Sequence, residues 1–344
     1  MNPRLLYEGE RLRRKRNVTV LTVLGLLIAA VFVLSMNTGV MRLTPAEVWH
    51  TLAGQGTDQQ RMILFDFRLP RIVISLLVGA GFAVSGCILQ SLSRNALAEP
   101  ATLGITAGAG FAVVLCLSFF PAAVAAPVYV LPLLALAGAA AATLIVYGLA
   151  YRKSDGLSPT RLVLIGIAVT AGINSVQLVI ALRLNPERYQ FVAIWIAGKI
   201  WGGDWSFVLA LLPWVVVLIP FFMYKSRTLN TLNMGEQTAA GLGVAVEKER
   251  LLLLIAAVAL AGSCVAVSGG IGFVGLIAPH LARRLVGPRH QALLPASALT
   301  GGLLLLTADM LARLILQPAE LPTGVVVAVI GAPYFLYLLA KARS

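Results

Sequence analysis

In this chain of 344 residues, 59% are hydrophobic and only 12% charged, with a mean hydropathy of +0.88, so a water-soluble globule would leave far too much apolar surface exposed. The formal charge of +13 does not make it a nucleic-acid binder, because the basic residues are scattered between apolar runs instead of gathered on one soluble face. The 32 glycines favour a bundle of closely approaching helices over a single anchor, and Cys87, Cys116 and Cys264 lie in apolar stretches without metal-type spacing.

From the N-terminus, residues 1–16 form a basic tail. The uncharged run 17–41 behind it is too long for the apolar region of a cleavable leader and is expected to remain as a first span. Uncharged windows at 72–93, 162–182, 206–224, 290–308 and 321–340 have the length of about 20 residues that a membrane helix needs. The stretch from Glu99 to Arg152 has room for two more helices, divided by Pro121, Pro127 and Pro132. Between Arg250 and Arg283 there is room for one full span, a glycine-rich corner and a shorter span. The expected fold is an all-α polytopic membrane protein of ten helices, with residues 17–344 forming a single transmembrane domain.

Ten spans put both termini on one side. Of the 27 lysines and arginines, Arg42, Arg61, Arg68, Arg71, Arg183, Arg188, Lys199 and Arg313 fall on the other side, leaving 19 beside the termini. Such an excess marks the cytoplasmic face.

Several local patterns carry chemistry. Phe67-Arg68-Leu69-Pro70-Arg71 opens the second span; proline suits a first helical turn, and the two arginines share a face, where snorkelling to headgroups is the plain reading. Ser158-Pro159-Thr160 opens the fifth span as an N-cap followed by proline. Within that span Thr170, Asn174 and Gln177 form a polar stripe, which either lines a path or hydrogen-bonds a neighbouring helix. Residues 229–250 read as two short helices at the cytoplasmic face with a tight turn at Gly241 to Gly243, longer than a plain connection needs; a docking element stands here against an inert loop. Asp309 is a carboxylate inside a span, and Arg313 one turn later is its simplest partner. His280 has no second histidine or carboxylate at ligand spacing and reads as a packing or interfacial residue. The chain has no Gly-x-x-x-x-Gly-Lys-Ser/Thr phosphate loop.

The run Gly269-Gly270-Ile271-Gly272-Phe273-Val274-Gly275-Leu276-Ile277-Ala278-Pro279-His280, closed by Arg283-Arg284, is the most telling segment. Together with Pro318-Ala319-Glu320-Leu321-Pro322-Thr323-Gly324, Gly331-Ala332-Pro333 and Asn95-x-Leu97-Ala98-Glu99-Pro100, it closely resembles the FecCD/BtuC-type permease subunits of bacterial ABC importers, across essentially the whole membrane region. The resemblance implies a type II importer permease in the bacterial cytoplasmic membrane, paired with a second permease subunit. It implies two cytoplasmic ATPase subunits that hold the ATP, an external substrate-binding protein, and no cofactor or catalysis in this chain. By the same resemblance Gly235, Glu236, Ala240, Gly241 and Gly243 belong to the loop seated in the ATPase, and Arg68, Arg71 and Arg313 take carboxylates of the binding protein. Thr170, Asn174 and Gln177 would line the path, and Ser158, Pro159 and Thr160 the inner gate. Asn185 to Gln190 and Trp195 to Trp205 look more like iron-siderophore permeases of Gram-positive bacteria than the cobalamin branch, so ferric siderophore is the expected cargo, with cobalamin or haem as alternatives. An ion-coupled secondary transporter, the rival of another class, should show several intramembrane carboxylates and paired broken helices.

Overall fold

The computed structural model describes residues 3–39, 43–119, 130–152, 156–200, 204–317 and 319–342, so Pro121, Pro127, Pro318 and Trp201 to Gly203 lie outside the described residues. Helix α1 (Pro3–Asn37) is followed by two short helices, α2 (Pro45–Leu52) and α3 (Asp58–Arg61), and by a π-helical stretch, Met62–Arg68, that runs directly into α4 (Leu69–Ser93). A 3-10 turn at Pro100–Leu103 leads to α5 (Ile105–Phe119) and α6 (Val130–Ala150). A small antiparallel hairpin pairs Tyr151–Arg152 with Gly156–Leu157 ahead of α7 (Pro159–Ala181), α8 (Pro186–Ile196) and α9 (Trp205–Tyr224). Then come α10 (Ser226–Asn233), α11 (Glu236–Gly241), α12 (Val246–Ser268), α13 (Val274–Val286), α14 (His290–Ile315) and α15 (Thr323–Ala342).

Each expected span coincides with a helix. Seven, namely α1, α4 with its lead-in, α6, α7, α9, α12 and α14, are long and apolar enough to cross a bilayer; α5 and Thr323–Leu336 of α15 are apolar but shorter, and α13 has 13 residues. Helices α4 and α12 form the centre, with 78% and 72% of their apolar windows buried against 11% for α1 and α7. Between membrane helices apolar burial gives little net drive, so close backbone approach must hold the bundle. Gly79 of α4 lies against the backbone of Gly301 in α14, and Gly86 against that of Gly275 in α13. Ser85 adds a buried hydrogen bond to the Ala257 carbonyl at 2.8 Å.

Side-chain pairs define two poles. Helices α4 and α14 run antiparallel: Ser91 Oγ meets His290 Nε2 at 2.7 Å at one end, and Arg71 meets Asp309 at the other. Asn230 of α10 accepts from the His290 N–H at 3.0 Å, Arg94 donates to Leu232 O, and Arg289 faces Glu10 of α1 at 3.7 Å, so the tail, α10 and α11 all gather at the first pole. This basic pole collects residues that the charge sorting assigns beside the termini, whereas Arg68, Arg71 and Arg313 lie at the opposite one.

The glycine-rich corner is not at a pole. Gly275 lies against Phe82 O and Gly86 of α4, and Gln90 Nε2 reaches back to donate to Gly275 O and Leu276 O at 3.3 Å, so α13 starts part-way along α4 and ends, with Arg283 and Arg284 in its last turn, toward the basic pole.

Candidate functional site

At the basic pole α10 buries Leu229 and Leu232, and α11 buries Ala239. Helix α11 ends in a double glycine cap: Gly243 N–H donates to Ala240 O at 2.9 Å and Val244 N–H to Ala239 O at 3.0 Å. Gly243 takes φ +84°, a conformation that favours glycine. The space around Gly241 and Gly243 is open, and two large apolar side chains, Met234 and Leu242, stand 67% and 65% exposed at the two ends of α11. Glu236 points back toward the protein, its Oε1 2.6 Å from Arg250 Nη2 on α12. The hydrogen bond from Arg250 holds the Glu236 carboxyl below the usual carboxylate range. Lys225 and Glu249, 2.7 Å apart, make a second tie to α12. The α10–α11 element is thus clamped to the central helix α12.

The polar stripe of α7 is divided. Thr170 is half-buried with its hydroxyl toward Ala101 O at 3.4 Å, whereas Asn174 is exposed. Gln177 is buried over Gly110 of α5, and its Oε1 has no hydrogen-bond partner among the described residues. One member thus bonds a neighbouring segment and another faces outward. Ser158 stands at the N-cap position of α7 with Pro159 in the first turn, but its side chain makes no capping bond, and Thr160 is exposed.

At the opposite pole, Arg68, Arg71 and Arg313 turn inward. Asp309, fully buried, accepts from Arg71 Nε at 3.0 Å, Arg313 Nε at 3.1 Å and Thr323 Oγ1 at 3.2 Å. Arg71 Nη1 also reaches Glu320 at 2.9 Å. Arg313 continues to Thr38 O at 3.0 Å and to Ser35 Oγ, and Arg68 donates to Met36 O. The expected Asp309–Arg313 pair is present, within a larger network that ties α1, α4, α14 and α15 together. Of its ionic members Glu320 is the most exposed, at 28% of its side chain.

The corner between α12 and α13 brings in a residue whose role the sequence left open. The segment after α4 folds back into the bundle, and Glu99 Oε2 accepts from the Phe273 N–H at 3.0 Å, next to the start of α13. Phe273 is held at φ +66°. Nearby, Gly324 N–H donates to Gly198 O at 2.8 Å and Gly270 N–H to Trp195 O at 3.3 Å, a knot of three backbones that leaves no room for side chains. Irregular backbone inside a membrane bundle is tolerated only when protein groups satisfy it, and Glu99, Gln90 and this knot do so. His280 packs edge-on against Tyr334 of α15 at 6.2 Å, in keeping with a packing histidine.

The profile of the FecCD transport family matches residues 26–341. The chain belongs to the FecCD transport family. Among FecCD relatives, the iron(3+)-hydroxamate import system permease FhuG of Bacillus subtilis is 51% identical, covering 96% of this chain and 99% of that protein. The iron-uptake system permease FeuC of the same organism is 40% identical, over 92% and 96%. A solved metal-chelate type ABC transporter in an inward-facing conformation superposes with a TM-score of 0.81 at 31% identity, covering 94% of this chain and 99% of that one. The chain is therefore a multi-pass FecCD transport permease with the BtuC-like type II fold. Glu99 and Gln90 are the site residues that pattern reading missed. The available signal was an acid beside proline between apolar stretches, but its partner lies 174 residues away.

Proposed function

We propose that this FecCD permease is a membrane subunit of an ATP-driven importer that carries a ferric siderophore of the hydroxamate class across the bacterial cytoplasmic membrane. The 51% identity to an iron(3+)-hydroxamate permease, over nearly the full length of both chains, carries the cargo reading. The α10–α11 element, with exposed Met234 and Leu242 and open glycines, is the seat for a cytoplasmic ATPase, which makes the basic pole cytoplasmic. The outward-facing surface of α7, with exposed Asn174, is where a second permease subunit would complete the path, and Ser158, Pro159 and Thr160 stand at its inner end. The binding protein would engage the opposite pole, where a partner carboxylate can replace that of Glu320 on Arg71; Arg68 and Arg313 hold that surface in shape.

Glu236→Arg is a poor probe of ATPase seating, because it also breaks the Glu236–Arg250 pair and sets two guanidiniums side by side. Leu242→Asp changes the tip alone. The test is uptake of iron-labelled hydroxamate siderophore by cells carrying the intact chain or Leu242→Asp at equal membrane levels, with ATP depletion and membrane-potential collapse as separate treatments. Uptake that needs ATP and Leu242 but survives potential collapse supports the proposal. Uptake that follows the potential and ignores the substitution overturns the ATP-driven reading, and uptake of cobalamin or haem in place of the siderophore overturns the cargo.

A further inference from the structure

At the basic pole, a cavity of about 830 Å³ opens between residues 10–21 of α1 and the turn joining α13 to α14. Four arginines line it: Arg13, Arg14 and Arg16 from α1, and Arg289 from the turn. One carboxylate, Glu10, offsets them, and it faces Arg289 at 3.7 Å with both side chains mostly exposed, a pair worth little in water. Among the described residues Arg13, Arg14 and Arg16 make no ion pair. The cavity wall also includes Asn17, whose Oδ1 is buried without a hydrogen-bond partner, and apolar Val18, Leu21 and Val286.

This combination identifies an occupant. Several guanidiniums converging from two elements match a phosphate, which accepts their forked donors. The orphaned Asn17 oxygen calls for a donor, such as a hydroxyl beside that phosphate. The apolar wall begins where the uncharged run of α1 begins, at the depth where a membrane helix passes from headgroups to acyl chains. Helix α1 is among the least buried helices, so the cavity sits beside lipid. We infer that the cavity binds the hydroxyl-bearing phosphodiester headgroup of an anionic phospholipid, of the phosphatidylglycerol or cardiolipin kind, with Arg16 and Arg289 on the phosphate and Val18 and Leu21 against the start of the acyl chains. A soluble phosphate would leave that apolar wall uncovered. The orientation proposed above supplies only the leaflet, the cytoplasmic one.

Native mass spectrometry of the full-length chain, released from nanodiscs containing equal phosphatidylcholine and phosphatidylglycerol, tests this. Retained phosphatidylglycerol should exceed phosphatidylcholine, and Arg16→Gln with Arg289→Gln should reduce its retention roughly thirtyfold. Arg16→Lys with Arg289→Lys should restore most of it, and Lys248→Gln, at the same pole but outside the cavity, should leave it unchanged. The paired lysine variant and an unchanged melting temperature guard against misfolding. Equal retention of the two lipids, or equal losses in Lys248→Gln, would reduce the cavity to general surface charge and overturn the inference. Displacement by millimolar glycerol phosphate would reassign it to a soluble phosphate. If the glutamine pair leaves lipid retention intact but weakens co-purification of an ATPase subunit, the cavity belongs to a protein partner.

Discussion

Asp309 shows how a single acid can organise a whole face. It accepts hydrogen bonds from Arg71, Arg313 and Thr323 while fully buried, so Asp309→Asn takes from Arg313 the carboxylate it pairs with and leaves Arg71 only Glu320. The expected loss is about 3–5 kcal/mol, read as a large fall in melting temperature of the detergent-purified protein. Glu320→Gln touches the more exposed end of the network and should cost about 1 kcal/mol or less; equal losses in the two variants would show that burial does not govern the network.

At the scale of elements, α10 and α11 illustrate a surface device built from local rules. The capped end of α11 depends on Gly243 at positive φ, so Gly243→Ala should strain the turn by about 1–2 kcal/mol, lowering uptake partially without removing the protein from the membrane. Leu242→Asp leaves that backbone unstrained yet should abolish capture of the proposed ATPase partner; if both variants bind that ATPase normally, the tip is not its seat. The short helix α13 teaches a different lesson. It was legible as a shorter span between Gly-rich sequence and Arg283-Arg284, but its start deep within the bundle was not, because that depth is set by Gln90, Gly86 and Glu99 from a segment far away in the chain.

For the whole molecule, the two poles predict opposite accessibility. A cysteine placed at Leu242 in a background lacking Cys116 should react with impermeant maleimide only in inverted vesicles, and one placed at Glu320 only in intact cells. Cys87 and Cys264, both buried, should stay silent in either preparation. Labelling of both new positions from one side would refute the two-pole topology.

Hydropathy, charge bias and glycine content, read along the chain, were enough for a polytopic helical bundle, for the positions of its long helices and for the short helices with their turn at Gly241 to Gly243. These features are local: a span needs only enough consecutive apolar residues, and a helix cap needs only its neighbours. Tertiary structure alone decided that Arg71 and Arg313 turn inward to one buried network while Arg68 turns inward to the Met36 carbonyl, that Glu236 is clamped by Arg250, and that Glu99 supports the corner before α13. In each case the deciding partner is distant in sequence or the choice is between inward and outward, and a buried charge takes whichever counter-charge the packed helices bring within reach.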